Sequence, residues 1–254
     1  MTLHVEVRGT GPALVLLHGF SQTARLWGPF GDGLATTHTL IGVDLPGHAA
    51  SDHIRADLPT TAALVAKAVS SVVGATSCTL LGYSLGARVA LHVVTMTDLA
   101  VDHVVLIGGT AGIEDSEVRR ARRASDEATA DRLEASGDLD AFLGQWVSGP
   151  MFSRLGDAAD VPERRRNSVA GLASSLRLSG NGTQEPLWDR ITSLNVPMLA
   201  LAGTDDARFA VHALRLADLA PSGIASLVPG GGHAVHLAQP RGVGLLVRHW
   251  LAAT

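Results

Sequence analysis

Thr79-Leu80-Leu81-Gly82-Tyr83-Ser84-Leu85-Gly86-Ala87-Arg88-Val89-Ala90 is the stretch on which the reading of this chain turns. An apolar run ends in a glycine, a serine stands between two glycines, and residues at helical spacing follow. The pattern predicts a strand, a sharp turn and a helix, with Ser84 held at the turn. Gly82 and Gly86 remove side chains where so tight a turn presses on its neighbours. Ser84 then sits at the head of a helix, where the Leu85 N–H and the helix dipole face a developing negative charge. The pattern G-x-S-x-G also arises by chance in a chain with 28 glycines, so its partners have to be found elsewhere.

Working outward, apolar runs alternate with helical patterns. Two β-rich stretches, Leu3 to Val7 and Ala13 to Leu17, open the chain, and the turn Arg8-Gly9-Thr10-Gly11-Pro12 between them reads as a hairpin connection. Further strands are predicted at Thr39 to Val43, Cys78 to Leu81, Val104 to Ile107, Met198 to Ala202 and Ala225 to Val228. Continuous apolar runs of this kind suit strands of a mostly parallel sheet covered by helices on both faces. Helices are predicted over Thr60 to Val73, capped by Thr60 or Thr61, and from Leu85 to Val94.

Between about Gly112 and Ser193 the strand rhythm stops. The stretch is charged and helical, with Arg119, Arg120, Arg122 and Arg123 facing Glu117, Asp126, Glu127 and Asp131, and with Gly180-Asn181-Gly182 as an internal turn. The expected organisation is one core, residues 1–111 and 194–254, interrupted by a helical cap at 112–193.

An acid and a histidine follow the serine in chain order, each just beyond a predicted strand end. Gly203-Thr204-Asp205-Asp206 follows Met198 to Ala202, and Gly231-Gly232-His233 follows Ala225 to Val228. Catalytic groups of open α/β sheets gather at those carboxyl ends. His233 would take the Ser84 proton, and Asp206 would fix its tautomer and stabilise the imidazolium, with the adjacent Asp205 as the competing acid. Leu17-His18-Gly19-Phe20 ends the second strand, so the Phe20 N–H is the candidate second oxyanion donor beside that of Leu85. The His18 side chain is expected to make a structural hydrogen bond under the loop. His233 and His236 stand three apart without a carboxylate or cysteine cluster, which predicts no metal site.

Composition bounds the partners. A net charge of −4 with both signs interspersed offers no field for nucleic acid or anionic lipid, and leaves a small molecule as the expected partner. The mean hydropathy is +0.23, yet the apolar runs fall well short of the roughly 18 residues needed to span a bilayer. No stable membrane insertion is therefore expected. The single cysteine, Cys78, excludes an intramolecular disulfide and reads as a small packed hydrophobe. With no signal-peptide pattern at Met-Thr-Leu-His-Val-Glu-Val, a cytoplasmic location is expected. Oligomeric state is left open between monomer and homo-oligomer.

Taken together, Gly-Tyr-Ser-Leu-Gly-x-Arg after the strand, Val43-Asp44-Leu45-Pro46-Gly47-His48 before it and Gly232-His233 near the end resemble one branch of the α/β-hydrolase fold. That branch is the 2-succinyl-6-hydroxy-2,4-cyclohexadiene-1-carboxylate synthases of menaquinone biosynthesis. The likeness runs through the insertion, at Arg119 to Asp126, Gln145-Trp146 with Pro150-Met151-Phe152, and Leu172 to Gly182 followed by Pro186-Leu187-Trp188. One departure is Ala87, where the family usually has a second glycine.

The resemblance implies a lyase that eliminates pyruvate from a cyclohexene bearing a succinyl arm, a ring carboxylate and an enolpyruvyl carboxylate, with no cofactor. It implies that Ser84 acts as a base, and that Tyr83, Arg88, Arg122, Trp146 and Arg164 bind the small anionic substrate. Planar guanidinium forks suit carboxylates, which gives the arginines a physical purpose. Arg164, Arg165 and Arg166 are consecutive, so a register slip of one changes which enters the pocket. Two other readings use the same residues: a carboxylesterase or carbon–carbon bond hydrolase acting through a Ser84 acyl-enzyme, and a catalytically inert fold used as a binding module.

Overall fold

In the computed structural model the described residues are 1–152 and 155–254. The strands are β1 (Val5–Arg8), β2 (Ala13–Leu17), β3 (Thr39–Val43), β4 (Cys78–Tyr83), β5 (Val101–Ile107), β6 (Met198–Gly203) and β7 (Gly223–Val228). They form a seven-stranded sheet in the order β1-β3-β2-β4-β5-β6-β7, in which only the β1–β3 pair is antiparallel. This is the α/β-hydrolase architecture that the sequence predicts.

The expected hairpin between the first two strands does not form. β1 pairs with β3, Val5 opposite Val43, because β2 has both edges occupied by its parallel neighbours β3 and β4. The outer edge of β3 is open to it. The central strands are apolar runs buried along their length, β4 and β6 at every residue, as expected of strands covered on both faces.

Around the sheet lie α1 (Gly28–Ala35), α2 (Leu58–Val73), α3 (Leu85–Met96), α9 (Ala207–Leu219), α10 (Val235–Ala238) and α11 (Pro240–Ala253). One face packs against α2, α3 and α9 through Val65, Val69, Val89, Val93 and Leu216. The other packs against α1 and α11 through Phe30, Leu34, Val243, Val247 and Trp250. Helix α2 begins two residues before the expected threonine cap. Asp57 is the cap instead, accepting the Thr60 N–H at 2.9 Å, and Pro59 fits the first turn, where its missing N–H is not needed.

Between β5 and β6 come α4 (Ser116–Ser136), α5 (Leu139–Ser148), α6 (Val161–Arg164), α7 (Val169–Ser179) and α8 (Trp188–Ile191). α4 and α7 pack together through Ala130, Leu133, Leu172, Ala173 and Leu176, and Phe20 of the core reaches up against them. α8 belongs to the body below, where Trp188 and Ile191 are buried. None of the helices among the described residues is long and apolar enough to cross a membrane.

The parallel registers decide where function can sit. Leu17 pairs with Gly82, Tyr83 with Ile107, Ile107 with Leu201 and Gly203 with Val228, so five strands end at one level. The loops carrying Phe20, Ser84, Asp206 and His233 all leave from that edge.

Candidate active site

Ser84 sits between β4 and α3 with φ +52° and ψ −105°, a left-handed conformation that costs a non-glycine residue on the order of 1–3 kcal/mol. The turn is held by close packing. A Cβ on Gly86 would lie 1.8 Å from the Leu17 carbonyl oxygen, so α3 can approach β2 this closely only with glycine there. Ala87, the departure from the family pattern, is fully buried, and its methyl faces Gly109. The smaller neighbour makes room for it.

His233 Nε2 lies 3.0 Å from Ser84 Oγ, and its Nδ1 lies 2.6 Å from Asp206 Oδ2. With Nδ1 donating to the carboxylate, Nε2 is left as the acceptor facing the hydroxyl. The structure thus brings Asp206, not Asp205, to the histidine. Two loops are clamped to achieve this: Thr204 N–H donates to Val228 O and Asp205 N–H to Gly231 O, at 3.0 and 2.9 Å. Asp206 stands at the N-cap of α9, yet its side chain makes no capping bond to that helix and is given over to His233.

Leu85 is the first residue of α3, so its N–H has no place in the helix ladder. The Phe20 loop is tightened by Gly19 N–H to Gln22 Oε1 at 2.9 Å and Gln22 N–H to Gly19 O at 3.1 Å. Below it, His18 accepts the Leu45 N–H at Nε2 (3.0 Å) and donates from Nδ1 to Gly19 O (2.8 Å). His48 accepts the Ser21 N–H at Nε2 and donates from Nδ1 to Pro46 O. Both imidazoles are therefore built in as neutral struts.

Burial keeps them neutral. It lowers His18 to about 4 and His48 to about 3, and it lowers His236, enclosed by Trp27, Phe30 and Tyr83, to about 3. An unfolded chain protonates these groups near pH 6.5. Between pH 6.5 and about 3 the unfolded state binds more protons, so the stability present above pH 6.5 drains away as pH falls through that window. The urea midpoint is expected to drop steadily from pH 7 to pH 5; an unchanged midpoint over that range would contradict the assignment.

A cavity of about 130 Å³ opens above Ser84. Its wall includes Phe20, Tyr83, Ser84, Leu85, Arg88, Arg122, Trp146, Arg164 and His233, so the residues singled out in the sequence meet in one place except Asp206, which stands behind His233. Arg88 is buried and donates from Nη1 to Ser179 O (2.9 Å) and Gly180 O (3.3 Å) at the C-terminal end of α7. Arg122 Nε donates to Asp126 Oδ1 at 2.8 Å. Arg164 is 1% exposed, donating from Nε to Ala159 O and from Nη1 to Ser21 Oγ, both at 2.7 Å. Its neighbours Arg165 and Arg166 turn outward to Asp140 and Glu163. Burial lowers both Arg88 and Arg164 to about 10, and Arg122 adds repulsion at Arg88; both stay charged at neutral pH.

Several buried polar atoms on this wall have no hydrogen-bond partner among the described residues: Gln22 Nε2, Tyr83 Oη, Trp146 Nε1, Arg164 Nη2, Ser175 Oγ and Asn181 Oδ1. Buried polar groups are usually paired, so their convergence marks a surface shaped for a polar ligand. Burial also raises Tyr83 well above the usual phenol range, which keeps it a neutral donor. Sequence reasoning missed Gln22, Phe152, Ser175, Asn181, Arg208 and Phe209, which also line the cavity. For Arg208 and Phe209 there was a signal, since they stand two and three residues after Asp206. Phe152, Ser175 and Asn181 lie in segments singled out by the resemblance, which gave them no role. Among the described residues no group of three or more His, Cys, Asp or Glu side chains could hold a metal ion.

With this geometry goes a match to the family model described as "Alpha/beta hydrolase family" over residues 14–243, and the chain belongs to that family of enzymes. Within it, the chain is 32% identical to the 2-succinyl-6-hydroxy-2,4-cyclohexadiene-1-carboxylate synthase of Klebsiella pneumoniae, covering 91% of this chain and 90% of that protein. It is 31% identical to the synthase of the same name from Escherichia coli, covering 96% of each. Among solved structures, MenH from S. aureus superposes with a TM-score of 0.90 at 26% identity, covering 98% of both chains.

Proposed function

We propose that the chain is a carbon–oxygen lyase that eliminates pyruvate from 2-succinyl-5-enolpyruvyl-6-hydroxy-3-cyclohexene-1-carboxylate, in menaquinone biosynthesis. Ser84, with its proton drawn to His233 and the imidazolium steadied by Asp206, removes the proton beside the succinyl carbonyl. The N–H groups of Phe20 and Leu85 receive the enolate oxygen. The electron pair then moves through the ring, the ring carbon–oxygen bond breaks, and enolpyruvate departs to take up a proton as pyruvate. Arg88, Arg122 and Arg164 bind the carboxylates, while Tyr83 and Trp146 line the pocket. The segment 112–193 supplies the cap over 1–111 and 194–254 through α4 to α7, while its last helix, α8, packs into the body.

The observation that carries this reading is the presence of those three arginines on the Ser84 cavity, two of them desolvated. A pocket for neutral acyl esters would favour an apolar lining, whereas a polyanion supplies carboxylates to Arg88 and Arg164, whose bonds here are to carbonyl and hydroxyl oxygens, and a second one to Arg122 beside Asp126. The names of the relatives support the same substrate class.

The test supplies the enolpyruvyl substrate and follows pyruvate. Release at rates far above those on p-nitrophenyl esters supports the lyase; rapid ester cleavage without pyruvate supports the acyl-enzyme hydrolase. Arg88→Ala is expected to raise KM and lower kcat/KM by about 10- to 100-fold, the range for losing charge-assisted hydrogen bonds. Unchanged kinetics would remove Arg88 from the site.

A further inference from the structure

One cationic side chain on the cavity wall is used by nothing above. Arg208 lines the cavity beside Phe209, yet it is exposed to solvent, and no hydrogen bond or ion pair joins it to any described residue. Its guanidinium carbon lies 5.8 Å from the centre of the Phe209 ring, and that ring lies 4.4 Å from the imidazole of His233. Arg208 therefore stands at the open margin of the site, close to the base.

Its position on α9 is also unfavourable for the fold. It is the second residue of the helix, in a first turn that contains no acidic residue. A cation there opposes the positive end of the helix dipole, and the nearby carboxylate at the N-cap, Asp206, makes no capping bond and is bound to His233. A cation set against such a local rule is expected where function requires it. The other three arginines differ: Arg88 is tied to Ser179 and Gly180, Arg122 to Asp126, and Arg164 to Ala159 and Ser21. Tethered cations suit groups that remain fixed during a reaction. An untethered one at the open margin suits the group that must leave.

We infer that Arg208 is a further substrate-binding residue that holds the carboxylate of the departing three-carbon fragment. The inference rests on the lyase reading above. As the ring carbon–oxygen bond breaks, its electron pair goes to the enolpyruvate oxygen, adjacent to the carboxylate the guanidinium already grips. Negative charge thus grows within reach of the fork, which strengthens the contact as the bond opens. The fragment then leaves with its cationic partner at the exit and not buried behind it.

The experiment compares wild type, R208Q and R208K for kcat/KM on the enolpyruvyl substrate. Inhibition by the ring product, 2-succinyl-6-hydroxy-2,4-cyclohexadiene-1-carboxylate, is measured alongside, since that product lacks the departing carboxylate. R208Q is expected to lose about 10- to 100-fold in kcat/KM, R208K to recover part of it, and both to bind the ring product as wild type does. General damage to the site would instead weaken product binding in step with kcat/KM, and that result overturns the inference. So does R208Q with unaltered kcat/KM in a preparation whose wild type releases pyruvate. A wild type that releases no pyruvate overturns the lyase reading and this inference with it.

Discussion

Ser84→Ala is expected to lower kcat for pyruvate release by several orders of magnitude, on the order of 10³- to 10⁶-fold, as when a member of a cooperating triad is removed. KM should change little. Among the described residues the hydroxyl is bonded to His233 Nε2, at 3.0 Å, which is the path the proposed mechanism gives its proton and not a contact that binds substrate. The backbone strain at φ +52° is the same for alanine as for serine, so the variant should fold, which circular dichroism and a urea midpoint would check. Residual turnover within tenfold of wild type would mean that another group takes the proton and that the elbow only binds.

The second large effect separates two neighbours. Asp206→Asn is expected to cost about 10⁴-fold in kcat, because an amide facing Nδ1 at 2.6 Å can hold the ring in the wrong tautomer, with the proton on the nitrogen that should accept from Ser84. Asp205→Asn should cost far less. Its backbone N–H, bound to Gly231 O, is retained in that variant, so the clamp between the two loops stays in place. Equal losses in the two variants would contradict the assignment of Asp206 as the residue that orients His233.

Both effects follow from one arrangement. The sheet registers bring five strand ends to a common edge, and chemistry is divided among loops that have no contact along the chain. Helices α4 and α6 bring Arg122 and Arg164 to the same space, and α3 brings Arg88. Holding desolvated cations there is unfavourable without an anion, and the unpaired polar atoms around them add to that cost. The polyanionic substrate of the proposed reaction would offset both at once, giving binding and selectivity the same physical origin.

How much of this could be read in advance depended on the range of the interactions. The elbow around Ser84, the buried strands and the strand-then-helix alternation were legible because each is set within a few residues, by glycine sterics or by an unbroken apolar run. His233 was legible from its place after a strand. The start of α2 was misplaced by two residues because Asp57 and the threonines after it are all good caps, and only the helix geometry shows which one bonds.

By itself, then, the sequence determined the sheet-and-helix class, the serine at its turn and the chain order of the groups around it, because local sterics and burial leave little choice there. Tertiary structure alone decided that β1 joins β3 and not β2, that Asp206 and not Asp205 meets His233, that Arg164 and not its two neighbours enters the cavity, and that Arg208 stands there with no hydrogen bond or ion pair to a described residue. In each case the competing residues or edges look alike along the chain. What separates them is which segment, distant in sequence, has already taken the neighbouring edge, carbonyl or carboxylate.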